Sequence, residues 1–215
     1  MVNAALSIPK SLVFCIRTLP FKQAIRIPFL ISWKTKIYGV RKGVIEFEQP
    51  VQRFMVKFGF GGSVGMPAKK SSIFIERGKL VFGNHVTFTE GTVLRCSGKM
   101  KFGSNFFSNK NCIFWASKEI CFGNDVLLGW NVVARDSDGH MIIHNGVSGE
   151  VSRPIVVGNH TWICSETHLL KGAGIGNDCV LGYRSTLTKN FARDNVLAVG
   201  TPARIVKECI RWERG

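Results

Sequence analysis

His140 closes the run Asp136-Ser-Asp138-Gly-His140. An unperturbed imidazole titrates near pH ~6.5, so a histidine can take a proton from a hydroxyl near neutrality. A carboxylate on its far ring nitrogen would fix the tautomer, and Asp136 or Asp138 could supply one. His144, four residues on, reads as a solvated loop residue, and His85 and His160 read as surface turn residues. The seven cysteines form no C-x-x-C pair and no His/Cys cluster at zinc spacing, so no metal site is expected. Cys121, Cys164 and Cys179 read instead as small apolar side chains. Free thiols favour a reducing, cytoplasmic setting. The run Gly59-Phe-Gly-Gly-Ser lacks the Lys-Ser/Thr of a phosphate loop and reads as a turn.

Five glycines set the frame that must position His140. Gly83, Gly103, Gly123, Gly158 and Gly176 each follow a large apolar residue and precede Asn or Ser, at separations of 20, 20, 35 and 18 residues. A six-residue step is nested inside: Gly123 to Gly129, Gly158 to Cys164, Gly176 to Gly182. That double period predicts an all-β parallel β-helix built from hexapeptides, three to a coil. Lys79–Phe82, Lys99–Phe102, Glu119–Phe122, 154–157 and 173–175 are then equivalent strands. The 35-residue step is one coil plus about 17 residues, which predicts an excursion loop near 134–153 that holds His140.

Charge divides the chain further. Of 29 Lys/Arg, 12 fall in residues 1–70 against two acids, and residues 1–45 hold eight with no acid. Residues 1–45 therefore read as a basic amphipathic N-terminal arm, suited to an anionic membrane surface or to capping the first coil. Residues 46–199 read as the β-helix domain, and 200–215 as a C-terminal tail with a short helix from the spacing of Ile205, Val206, Cys209 and Ile210. Neither a secretory leader nor a membrane-spanning segment is predicted.

Residues 100–207 resemble the hexapeptide-repeat acyltransferases, in the branch of sugar and polysaccharide O-acetyltransferases that includes the galactoside and maltose enzymes. The resemblance rests on Pro154-Ile-Val-Val-Gly-Asn-His-Thr-Trp162-Ile-Cys, Leu170-Lys-Gly-Ala-Gly-Ile-Gly176, Thr186-Leu-Thr-Lys189 and Gly200-Thr-Pro-Ala-Arg204. It implies a left-handed coil, acetyl-CoA as co-substrate, direct transfer to a sugar hydroxyl, and a homotrimer with clefts between subunits. His140 matches the family's general base, Asn111 an acceptor contact, and Trp162 the wall of the acceptor and acetyl end. Lys189 and Arg204 match positions near the CoA phosphates. Cys164 and Gly182 fall on the pantetheine path, where the family usually has glycine at the first position and Gly-Ala-Gly-Ser in place of Gly182-Tyr-Arg-Ser185.

Two other functions stay open on the sequence. A γ-type carbonic anhydrase shares the fold implied here, but the Gly-His and His-Gly units expected for its zinc are absent. A basic binding module for nucleic acid has only charge in its favour, without a stacking motif.

Overall fold

Alternation is the local cause of the strands. In Lys99–Phe102, Met100 and Phe102 are fully buried while Lys99 and Lys101 face outward, and Glu119–Phe122 repeats the pattern with Ile120 and Phe122 inside. The computed structural model describes residues 2–214 and stacks such segments into a three-sided coil. The first face holds nine strands, from Phe29–Ile31 to Ala203–Lys207; the second holds seven and the third six, among the described residues. Neighbours within a face run parallel, except for the last pair on the first face. The strands equated from sequence all lie on the third face, together with Ile45–Phe47. They pair residue for residue, Lys79 with Lys99 and Lys99 with Glu119.

Stacking is what makes each coil bury its apolar row. Phe82, Phe102 and Phe122 lie nearly parallel at 5.8 and 5.7 Å, and Phe88, Phe106 and Phe114 pack edge-on against them. Each buried phenylalanine contributes about 1.5–3 kcal/mol by leaving water. Val157, only 2% exposed, continues the row on the third face, between Phe122 and Ile175. An aspartate there would bury an unpaired charge and end the fold.

The glycine-Asn/Ser signature has a steric and a hydrogen-bonding cause. A Cβ on Gly123 would lie 2.8 Å from the backbone of Gly158, so successive coils touch there with no room for a side chain. The next residue then links the coils: Asn159 Oδ1 accepts from Asn124 N, Asn177 Oδ1 from Asn159 N, and Asp194 Oδ1 from Asn177 N, at 2.7–2.8 Å. The residue after that (His85, Asn105, Asp125, His160, Asp178) takes a positive φ that turns the corner.

Two expectations about the elements need adjusting. The coil begins inside the segment read as an arm, since Phe29–Ile31 and Lys36–Tyr38 are strands of the first two faces. The arm proper is α1 (Val2–Thr18) and the short turn of helix Phe21–Ala24 that follows it. Among the described residues no C-terminal helix forms: Ala203–Lys207 is a strand that turns back antiparallel on Leu197–Gly200. An exposed sheet edge offers that segment a ladder of hydrogen bonds, and its short apolar run satisfies a strand as well as a helix. The excursion is an antiparallel hairpin, Ile143–His144 with Val147–Ser148, closed at its base by Arg153 N donating to Asp136 O at 3.0 Å.

Candidate active site

The corner between the first and second faces is the structure around which the candidate residues gather. It is built from Asn109-Lys110-Asn111, Gly129-Trp130-Asn131, Cys164-Ser165-Glu166 and Gly182-Tyr183-Arg184, one stretch per coil. Asn111, Asn131, Glu166 and Arg184 each take a positive φ there. Ser165 Oγ accepts from Trp130 N at 3.2 Å, and Arg184 Nε donates to Glu166 at 2.6 Å, which holds the Glu166 carboxyl below the usual range.

A groove of about 420 Å³ runs along the first-face side of this corner. Trp130, Trp162, Cys164 and Tyr183 line it with Leu127 and Asn109. Two predicted residues, Trp162 and Cys164, thus share one wall. Gly182 lies buried at its edge, where a Cβ would meet Val199 Cγ1 at 2.6 Å. The departure at Gly182-Tyr-Arg has a visible consequence: Tyr183 stands in the groove, while Arg184 turns aside to Glu166. Burial pushes the Cys164 thiol up to about 11, so its thiolate is scarce at neutral pH.

A second groove, about 460 Å³, lies on the other side of the corner. Asn111 borders it with Asn131, Val133 and His168. Asn111 is already engaged, its Oδ1 accepting from Lys69 N at 2.8 Å and its Nδ2 donating to Pro67 O at 3.0 Å. Its amide therefore holds the segment 67–69 over the corner. His168, exposed on the strand His168–Leu169, was not singled out in the sequence. It is the outward neighbour of inward Leu169, which was the only signal available for it.

The two aspartates have separate partners. Asp136 is fully buried and accepts three backbone hydrogen bonds of 2.7 Å, from Ser117, Lys118 and Glu119. Its carboxylate is spent on the corner between the second and third faces, not on a ring of the excursion. Asp138 pairs with Lys171. His140 itself is exposed on the excursion, just ahead of the hairpin strands, and lines neither groove. Lys189 and Arg204 are exposed; Lys189 lies over the Phe191 ring at 5.4 Å, and Arg204 Nη1 donates to Ala203 O at 2.9 Å. One chain therefore unites the groove residues but leaves His140, Asn111 and the two cations apart from them.

His160 differs from a plain surface turn residue. Its Nδ1 lies 2.8 Å from Asp178 Oδ1, and Trp212 stacks on its ring at 4.3 Å and 9°. Trp212 also lies 6.0 Å from Trp162, so the C-terminal tail reaches the outer end of the groove wall. Among the described residues, no group of three or more His, Cys, Asp or Glu is placed to hold a metal ion.

Comparison with known proteins bears on what such a groove does. Galactoside O-acetyltransferase of Escherichia coli K12 is 35% identical over 108 residues, 49% of this chain and 52% of that protein. The galactoside O-acetyltransferase of Lactococcus lactis is 28% identical over 109 residues, 50% of this chain and 52% of that protein. The chain resembles the sugar O-acetyltransferases. It spans about half the length of the curated relatives it matches. The crystal structure of the polySia-specific acetyltransferase NeuO superposes with a TM-score of 0.58 at 17% identity, covering 87% of this chain and 79% of that one. The fold is thus the left-handed parallel β-helix. No family model matches the chain.

Proposed function

We propose that the chain is an acetyl-CoA-dependent O-acetyltransferase that acts on a hydroxyl of a sugar or cell-surface glycan. The observation that carries this reading is the placing of His140. It stands on the excursion that leaves the coil at the end of the strand Val133–Arg135, the strand that follows the corner Gly129-Trp130-Asn131 bordering both grooves. His140 takes the proton of the acceptor hydroxyl as its oxygen attacks the acetyl carbonyl. The carbon–sulfur bond then breaks and coenzyme A leaves as its thiol, protonated from His140. Backbone N–H groups of the coil are the candidate donors to the oxyanion. A sugar alcohol is too weakly acidic to react without such a base. With its thiol pushed up to about 11, Cys164 suits a groove wall better than a nucleophile, which agrees with direct transfer.

The pantetheine arm suits the groove of Trp162, Cys164 and Gly182, with Lys189 and Arg204 offered to the phosphates. Asp138 is the remaining carboxylate near His140, and orientation of the ring falls to it once Asp136 is spent on the backbone.

The same reading makes the protein a homotrimer. The hairpin exposes Met141, Ile142, Ile143 and Val147, each more than half accessible, and such a tip calls for an apolar partner. A neighbouring copy would cover it and bring His140 to a groove that its own chain does not offer. Residues 1–45 suit peripheral contact with an anionic membrane. Incubation of the protein and acetyl-CoA with glycan extracts of the source cell should add one acetyl mass to a saccharide, and light scattering at micromolar concentration should give three chains. A monomer, or extracts unchanged by any short acyl-CoA, would refute the reading.

A further inference from the structure

Helix α1 is apolar on two faces, and the coil uses one of them. Phe14, Cys15, Thr18 and Leu19 are buried over the open end of the first coil, where Phe14 meets Phe29 edge-on at 5.0 Å. Ser11 and Ser7 tie the helix to the end strand, accepting from Ile31 N at 2.8 Å and Trp33 N at 3.0 Å. That docking satisfies the capping role. It leaves Leu6, Val13 and Ile16 on the outer side of α1, with Phe21 and Ile25 beyond it, all about half exposed or more. A helix apolar all round is ordinarily covered on both sides.

We infer that this outer face rests on an anionic lipid surface, so that the coil stands on the membrane by its N-terminal end. Charge complementarity decides for lipid. Arg17, Lys22, Arg26 and Lys34 are exposed around the apolar face, and no acid occurs before Glu46. Apolar side chains would enter the acyl boundary while cations meet the headgroups, as interfacial helices do. Trp33, 47% exposed beside the same face, belongs to the headgroup level. Among the described residues no helix is long and apolar enough to cross a membrane, so the contact is a surface one.

The fold converts this contact into a height. Five strand steps on the first face separate Phe29–Ile31 from Trp162–Ile163. At ~4.8 Å a step the groove stands about 24 Å above the end strand. Resting on the acyl-transfer reading, that height selects as acceptor a saccharide anchored in the membrane and long enough to raise its hydroxyl to the groove. The lipid contact itself does not depend on that reading.

Sedimentation of the full chain with vesicles rich in phosphatidylglycerol, against phosphatidylcholine alone, tests the contact. Binding should be strong only to the anionic vesicles and weaken with salt. Leu6→Gln/Val13→Gln/Ile16→Gln should reduce it at least tenfold with circular dichroism unchanged. Arg17→Glu/Lys22→Glu should reduce it further, about fivefold for each cation removed. Brominated lipid should quench the wild-type protein and leave Trp33→Phe, which keeps Trp115, Trp130, Trp162 and Trp212, unquenched. Equal binding to both vesicles would overturn the inference. So would undiminished binding of the triple variant, or a triple variant that lowers only the oligomer mass. Persistent quenching in Trp33→Phe would overturn the upright orientation. Acetyl transfer to a soluble saccharide without vesicles should be the same in wild type and triple variant, which separates failure here from failure of the enzymatic reading.

Discussion

At the scale of the residue, Asp136 and Asp138 stand two positions apart in one loop and do unrelated work. Sequence allowed either to orient His140; only the fold distinguishes them, because Asp136 is the last residue still inside the coil. Its three charge-assisted bonds to backbone N–H groups hold the corner 117–119. Asp136→Ala should therefore leave three donors unpaired and lower the unfolding free energy by about 3 kcal/mol or more, read as a lower urea midpoint. Asp138→Asn should leave that midpoint nearly unchanged and lower acyl transfer modestly. The same limit explains His168 and Trp212, which were not legible. Each joins a site through strand stacking or a returning tail, and no motif marks such neighbours. Trp162 and Cys164 were legible through the resemblance, because both fall within one matched motif, and in the fold they share a wall.

At the scale of the element, the glycine period yielded the third face almost intact, since a Cβ-free corner is a steric need that leaves its mark on sequence. Gly123→Ala would set a methyl 2.8 Å from Asn159 N and the Gly158 carbonyl carbon. The coils must then part, at a cost of about 1–3 kcal/mol, measured as a shift in the thermal midpoint. The early coils were less legible, because neither Phe29–Ile31 nor Lys36–Tyr38 is followed by Gly-Asn or Gly-Ser and both lie among the charges of the arm. The C-terminal strand was misread for a different reason. Ile205 and Val206 fit both periods, and the choice fell to pairing with Leu197–Gly200.

At the scale of the whole molecule, one continuous core and its thiols give stability a pH dependence. Burial pushes the buried Cys112 thiol from its ordinary 9.0 to about 12, and Cys96 likewise. Above pH ~9 the unfolded chain gives up protons that the folded one retains, so stability should fall as pH rises from about 9 towards 12, by up to ~1.4 kcal/mol per thiol per pH unit. Cys112→Ala should flatten that slope in denaturant titrations at successive pH values. The proposed function makes assembly the other demand on the whole molecule, because His140 and the groove of Trp162 are apart in one chain. The most direct measurement is therefore transfer of labelled acetyl from acetyl-CoA to the glycan by wild-type and His140→Ala protein, with acceptor and donor saturating and trimer mass verified for both. The rate should fall by ~10²–10⁴-fold in the variant while CoA affinity and assembly persist. An undiminished rate would contradict the assignment of His140 as the base.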